Sequence, residues 1–407
     1  MKQIVDSVMD WVEVRMPVSK LYKEHMADYY APKNFNFWYY FGSLALFVLV
    51  NQLLTGIWLT MYYTPSGGEA FNSIEYIMRD VEYGWLLRYL HSTGATAFFV
   101  VIYLHMFRGM MYGSYKSPRE LVWLFGMGIY GVLMGEAFFG YLLPWGQMSY
   151  WGAQVILSLV GAVPIVGDDI ALWVRGDYVI SGVTLNRFFA LHVVALPIVL
   201  LGLIAMHLFA LHEVGSSNPD GVEIKEKKDS EGIPLDGIPF HPYYTVKDIM
   251  GVVVFLIVFC AVVFFFPSGG GLILEGPNFE PSNALKTPEH IAPVWYFTPY
   301  YSVLRAVPNK LGGVIAMGGA IAFLFVLPWL DRSPVKSIRY KGWMSKFALT
   351  AFVVSFLILG YLGTQAPTPG KTLAAQIFTI IYFLFFILMP FYTTMEKTKP
   401  VPERVTG

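Results

Sequence analysis

The chain has 407 residues, of which 56% are hydrophobic and only 14% charged, with 28 basic and 28 acidic side chains and no formal net charge. That balance offers no basic surface for nucleic acid and points to a membrane protein rather than a soluble domain. The single cysteine, Cys260, excludes an intrachain disulfide and reads as a plain hydrophobe in the apolar run 251–267.

Residues 1–33 are mixed and polar, without the charged-then-apolar pattern of a signal segment. Runs long enough to cross a bilayer then follow at roughly 39–61, 87–107, 122–143, 188–210, 249–267, 311–330, 346–363 and 375–395. Longer connections lie at about 144–187, 211–248 and 268–310. The first is expected to hold short surface helices around Trp151–Val160 and Asp169–Val174. The charged stretch Glu223–Lys228 separates four spans from four, so two domains are expected, 1–221 and 222–407. The expected fold is an all-α integral membrane protein with eight transmembrane helices.

With eight spans, both termini and the loops after spans two, four and six share one side. That side carries 20 of the 28 Lys and Arg residues, which makes it the cytoplasmic one. Spans two and four then run in the same direction, from outside to inside.

Four histidines interrupt these two spans: His91 and His105 in the second, His192 and His207 in the fourth. At about 1.5 Å per residue each pair is spaced by roughly 21–23 Å, most of the ~30 Å hydrocarbon core, and falls on nearly one helix face. Imidazole is costly in lipid and turns to the bundle interior. Because the spans are parallel, His91 meets His192 near the outer surface and His105 meets His207 near the inner one. Two His ligands at each of two levels fit a stack of two bis-histidine b-type haems better than zinc, which takes four ligands at one point. The first four spans would form the bundle around that stack.

A second pattern has the same period. Gly42 and Gly56 in span one, and Gly126 and Gly140 in span three, are each fourteen residues apart. A glycine in a membrane helix serves ordinary packing or the close approach of a flat macrocycle, and the match to the histidine period favours the second. Arg88 lies one turn before His91 and Arg108 one turn after His105. Each is either an interfacial snorkelling residue or a partner for haem propionates, and its place beside a histidine favours the propionate.

The text around these positions resembles cytochrome b, the membrane core of the quinol:cytochrome c oxidoreductase (complex III) family. The resemblance covers essentially the whole chain and is carried by LLRYLHSTGA, YLHMFRGMMYGSY, GYLLPWGQMSYWGAQVI, MHLFALHEVGSSNP, FHPYYTVKD and TPEHIAPVWYFTPYYSVLRA. It implies that His91 and His192 hold a low-potential haem and His105 and His207 a high-potential one, with Ser114 also on the cofactor. It implies an outer quinol-oxidising site at Tyr141, Gly152 and the Pro293-Val294-Trp295-Tyr296 turn. It implies an inner quinone-reducing site at His212, Lys247 and Asp248, with Asn218 or Ser217 nearby. The activity implied is the Q-cycle, which releases protons outside and takes them up inside.

Two departures from the family pattern stand out. Most members carry Glu where this chain has Val294, and valine takes no proton, so Tyr296 with water or a nearby acid, Glu289, is expected to replace it. Fourteen residues lie between His192 and His207 where mitochondrial members have thirteen, so a local helix adjustment is expected in span four. That spacing in an unsplit chain looks bacterial, of proteobacterial type, in an inner membrane with both termini cytoplasmic.

The chain has neither cysteine ligands for iron–sulfur nor a C-x-x-C-H site for covalent haem. The resemblance therefore implies a Rieske-type iron–sulfur protein and a membrane-anchored c-type cytochrome as partners, in a homodimeric complex within membrane lipid. His25, His241 and His290 lie outside the spans and read as surface or structural residues. Two other classes remain open from sequence: a transporter with histidine proton relays, and a di-haem subunit that only relays electrons.

Overall fold

The computed structural model describes residues 2–22 and 29–406. Among them, eight helices are long and apolar enough to cross a membrane: Phe37–Thr60, Gly84–Tyr112, Glu120–Leu142, Gly182–Val214, Phe240–Phe265, Lys310–Leu330, Trp343–Gly363 and Pro369–Ile387, spans one to eight in chain order. The protein is all-α apart from a short antiparallel pair, Tyr30–Pro32 with Gly237–Pro239, which ties the approach to span one to the loop before span five.

All eight expected spans are present, and their ends differ where local chemistry intervenes. Span two continues to Tyr112 and stops at Gly113, whose φ of 63° suits a left-handed C-terminal cap. Span eight ends at Ile387 instead of about 395. Pro390 has no N–H to continue the ladder, and a separate short helix, Met389–Met395, begins there.

Span four is composite. An α-helix over Gly182–Ala190 passes through a π-helical turn, Leu191–Ala195, into a second α-helix, Leu196–Val214. The Leu196 amide donates to the Leu191 carbonyl, five residues back, so one surplus residue is taken up in that turn. This is the adjustment expected from the longer histidine spacing, and His192 sits inside it. The first long connection contains Gln147–Val160 and Gly167–Arg175, the two surface helices expected there.

Side chains sort by their surroundings. Val246, Ile249, Val253, Val254, Ile257 and Val258 of span five are all exposed, an apolar outward face suited to lipid. Inward, Phe99, Tyr130 and Leu133 of the first half pack with Tyr296, Tyr300, Phe352 and Phe386 of the second in one core. Buried donors are satisfied across that seam. Tyr130 donates to the Tyr300 hydroxyl at 2.9 Å, Tyr103 to the Tyr296 carbonyl at 2.5 Å, and Trp123 Nε1 to the Leu324 carbonyl at 2.7 Å. On the side of the termini, called inner below, the buried Asp331 carboxylate meets Lys341 Nζ at 2.5 Å and Lys116 Nζ at 3.3 Å, and accepts from the Tyr115 hydroxyl at 2.7 Å.

Candidate functional site

Spans two and four set their four histidines into the bundle at two depths. The rings of His91 and His192 have centres 6.2 Å apart at 85°, and those of His105 and His207 are 6.4 Å apart at 68°. A metal bonded to one nitrogen of each ring needs about 2.0 Å per bond and about 1.1 Å from nitrogen to ring centre, roughly 6.2 Å in all. Each level therefore has the spacing of two axial imidazoles on one ion. Among the described residues no group of three or more His, Cys, Asp or Glu side chains could hold a metal. Two axial ligands per level fit haem, whose macrocycle provides the remaining four.

The rings are oriented from behind. Nδ1 of His91 lies 2.9 Å from Thr55 Oγ1, that of His192 lies 2.8 Å from the Glu136 carbonyl, and that of His207 lies 2.9 Å from the Val122 carbonyl. Thr55 donates its own proton to the Asn51 carbonyl, so it accepts from the imidazole. With Nδ1 engaged, Nε2 is the nitrogen left for a metal.

The matched glycines lie against these rings. A β-carbon on Gly42, Gly56 or Gly126 would come within 3.3, 3.2 or 3.3 Å of Cε1 of His105, His91 or His207, and one on Gly140 within 2.4 Å of His192. Each of these glycines lies against an imidazole from the neighbouring antiparallel helix. Arg108 donates to Ser114 Oγ at 3.0 Å and to the Ser217 carbonyl at 2.6 Å, which gathers Arg108, Ser114 and Ser217 at the inner end.

Arg88, His91 and His192 line a cavity of about 240 Å³ that continues to Tyr141, Glu275, Val294 and Tyr296 of the outer loops. Tyr296 stacks on Phe99 with ring centres 3.9 Å apart, and Trp295 Nε1 donates to Thr96 Oγ1 at 3.3 Å, so this turn is clamped to span two. Pro293 and Trp295 do not line the cavity. Gly152 lies beside Tyr141, whose ring a β-carbon there would meet at an ordinary contact distance of 3.5 Å.

Glu289 is exposed and lies off this wall. Two acids line the cavity, Glu136 beside His192 and, on the outer-loop wall, Glu275, both absent from the sequence reading. Glu275 Oε2 accepts from the Tyr141 hydroxyl at 2.8 Å. Burial raises its carboxyl to about 7, with the Tyr141 hydrogen bond pulling the other way. The loop is docked there by Gly146 and Pro281, which form an antiparallel bridge, and by Asn278 Oδ1, which accepts from the Ser149 amide at 2.9 Å. A lone acid in the apolar text GLILEG was the only sequence signal for it.

At the inner side, Asp248 accepts from the Tyr39 hydroxyl and from Ser43 Oγ, each at 2.9 Å. His212 stacks on Tyr29 at 4.7 Å, and contacts through Phe240, Tyr244 and Tyr39 join Tyr29 to Asp248. Lys247 Nζ lies 4.9 Å above the Tyr244 ring. His212, Lys247 and Asp248 thus border one aromatic cluster. Asn218 is fully buried, and its side chain staples its own loop through the Asp220 amide at 3.1 Å and the Val222 carbonyl at 2.7 Å. His241 and His290 are exposed, the first 3.3 Å from Thr245 Oγ1 and the second 3.2 Å from the Thr364 carbonyl, while His25 lies outside the described residues.

Fold and site together define a multi-pass membrane protein whose second and fourth spans bring four histidines together as two pairs at two depths, beside a cavity. The family described as cytochrome b/b6/petB matches residues 26–215, and that described as cytochrome b (C-terminal)/b6/petD matches residues 281–383. Cytochrome b of Allochromatium vinosum is 62% identical over 98% of each chain. That of Rhodospirillum rubrum is 47% identical over 99% of this chain and 96% of its own. A solved chain of a hyperthermophilic respiratory complex III superimposes with a TM-score of 0.88 at 42% identity, covering 95% of this chain and 99% of that one. The chain belongs to the cytochrome b family, as the sequence motifs imply, and is the cytochrome b of a respiratory complex III-type quinol oxidoreductase.

Proposed function

We propose that this chain oxidises quinol at the outer cavity, passes electrons inward through two bis-histidine b-type haems and reduces quinone at the inner aromatic cluster, the two half-reactions of a Q-cycle. The observation that carries this reading is the continuity of the outer cavity, with the His91–His192 pair on one wall and Glu275, Val294 and Tyr296 on another. A quinol there lies between the proton-accepting loop and the first electron acceptor.

Haem, when bound, supplies reversible one-electron chemistry at iron. His91 and His192 would hold the outer iron, and His105 and His207 the inner one. Arg88 at the outer level, and Arg108 with Ser114 at the inner, offer cations and a hydroxyl to the cofactor carboxylates. Quinol gives up two electrons and two protons. With Val294 unable to accept, the Glu275 carboxylate takes a proton from the bound quinol, and Tyr141 keeps that carboxylate turned to the cavity wall. Tyr296, clamped on Phe99, shapes the wall. At the inner cluster Asp248 and His212 deliver protons to the reduced quinone, Lys247 balances developing negative charge, and Asn218 fixes the loop that carries Ser217.

One electron of each quinol goes to a Rieske-type iron–sulfur partner and from there to a membrane-anchored c-type cytochrome, while the other crosses this chain. We read the chain as a di-haem unit, 1–221, and a second unit, 222–407, in a homodimeric complex. Its place is a bacterial inner membrane, in contact with lipid, with both termini cytoplasmic.

The test is a redox-titrated absorption spectrum of the complex in its membrane. Two b-type components of distinct potential are expected, one lost in His91→Ala and the other in His207→Ala, with quinol–cytochrome c reductase activity abolished in both. A folded complex without a haem signal would end this reading.

A further inference from the structure

Span three contains a fourteen-residue repeat that treats the two histidine pairs alike in backbone and differently in side chain. Val122 and Glu136 each stand four residues before a ring-seating glycine, Gly126 and Gly140. The Val122 carbonyl accepts from His207 Nδ1 at 2.9 Å, and the Glu136 carbonyl from His192 Nδ1 at 2.8 Å. The inner level adds only an apolar side chain. The outer level adds the Glu136 carboxyl group, with Oε1 3.1 Å from the same Nδ1 and Oε2 buried without a partner. Span one repeats the contrast. Thr55, before Gly56, places its hydroxyl 2.9 Å from His91 Nδ1, whereas Phe41 occupies the matching place before Gly42.

We infer that Glu136 is a positioning residue that holds the redox potential of the outer haem below that of the inner one, through the axial imidazole of His192. The inference rests on the reading of the histidine pairs as haem ligands. Oxidation of a haem iron adds one positive charge to the site. A carboxyl oxygen aimed at that site, 3.1 Å from His192 Nδ1, favours the oxidised form. A second acceptor on the Nδ1 proton also makes Nε2 a better donor to iron, which acts in the same direction. Roughly 21 Å of helix separates the two levels, so both effects stay with the outer haem. Val122 exerts neither effect on His207. Electrons entering at the outer level then run towards the better acceptor at the inner one, and the gradient is written into two positions of one helix.

Glu136→Gln keeps the shape of the side chain and removes its capacity for charge. In the assembled complex we expect the outer haem to titrate at a higher potential, the inner haem to stay in place, and the gap between them to narrow. Glu136→Asp should recover part of the shift. Retention of both haems with an unmoved outer potential in Glu136→Gln would overturn the inference, as would an equal shift of both haems. If Glu136→Gln loses the outer haem altogether, Val122→Glu decides: a lowered inner potential supports the inference and an unmoved one overturns it. A wild-type complex without haem would defeat the ligand reading before any variant is made.

Discussion

Gly140 and His192 fit together more tightly than the other three glycine–histidine pairs: a β-carbon on Gly140 would lie 2.4 Å from the ring, against 3.2–3.3 Å elsewhere. A β-carbon there would force the His192 ring to move. Gly140→Ala is therefore expected to lose most of the outer haem and to keep the inner one. At Gly126 a shift of a few tenths of an ångström suffices, so Gly126→Ala should retain its haem with an altered potential. Haem stoichiometry and reduced-minus-oxidised spectra of the two variants check the ranking, and equal losses would contradict it.

On the proposed role of Glu275, quinol oxidation is expected to depend on pH in a defined sense. Its buried carboxyl is raised to about 7, so the proton-accepting carboxylate is populated above that value and disappears below it. Turnover at the outer site should rise with pH through about 7. In Glu275→Gln that step should vanish and the rate fall by roughly 10- to 100-fold. Glu289→Gln should leave both rate and profile unchanged. A step that survives in Glu275→Gln and is lost in Glu289→Gln would return the role to Glu289.

Asp331 should be a large contributor to stability at the inner edge. Burial pushes its carboxyl up, but Lys341 and Lys116 outweigh this and hold it below the ordinary carboxylate range. A folded value below the unfolded one, about 3.9, gives stabilisation that is complete at neutral pH and lost as pH falls through the folded value. Asp331→Asn leaves two lysines without their counter-charge and is expected to cost about 3–5 kcal/mol. Thermal inactivation of the complex at neutral pH should show the deficit, and the difference from wild type should shrink in acid.

Asp248 is held by two hydroxyl donors, and the variants separate charge from position. Asp248→Asn should slow reoxidation of the inner haem by quinone about tenfold or more and leave reduction of the outer haem intact. Tyr39→Phe, which keeps the carboxylate and removes one of its donors, should have a smaller effect. Rapid-mixing spectra of the two haems distinguish these outcomes, and an equal effect of both variants would make Asp248 a structural anchor only.

What could be read from the sequence is what periodicity encodes. The spans, the level pairing of His91 with His192 and of His105 with His207, and the matching glycines all follow from helical rise, apolar length and parity. Glu275 escaped because its loop has no period: a bridge at Gly146–Pro281 and one side chain, Asn278, fix it against helices far away in the chain. Asn218, placed by the resemblance near the inner quinone site, has its side chain engaged with backbone groups of its own loop, a contact that residue spacing does not encode. Counting residues showed that span four must absorb a surplus, but only the structure shows that the turn carrying His192 absorbs it.

The wide turn at Leu191–Ala195 separates two quantities that a plain helix would lock together, the length of chain between ligands and the distance between them. The bundle keeps its histidines paired at two levels, and the spare residue is quarantined in one turn. Two related chains can then differ by an insertion inside the histidine-bearing helix while their histidine pairs stay in register. Aligned by residue count, such helices look like different solutions; superposed by turns, they are the same one.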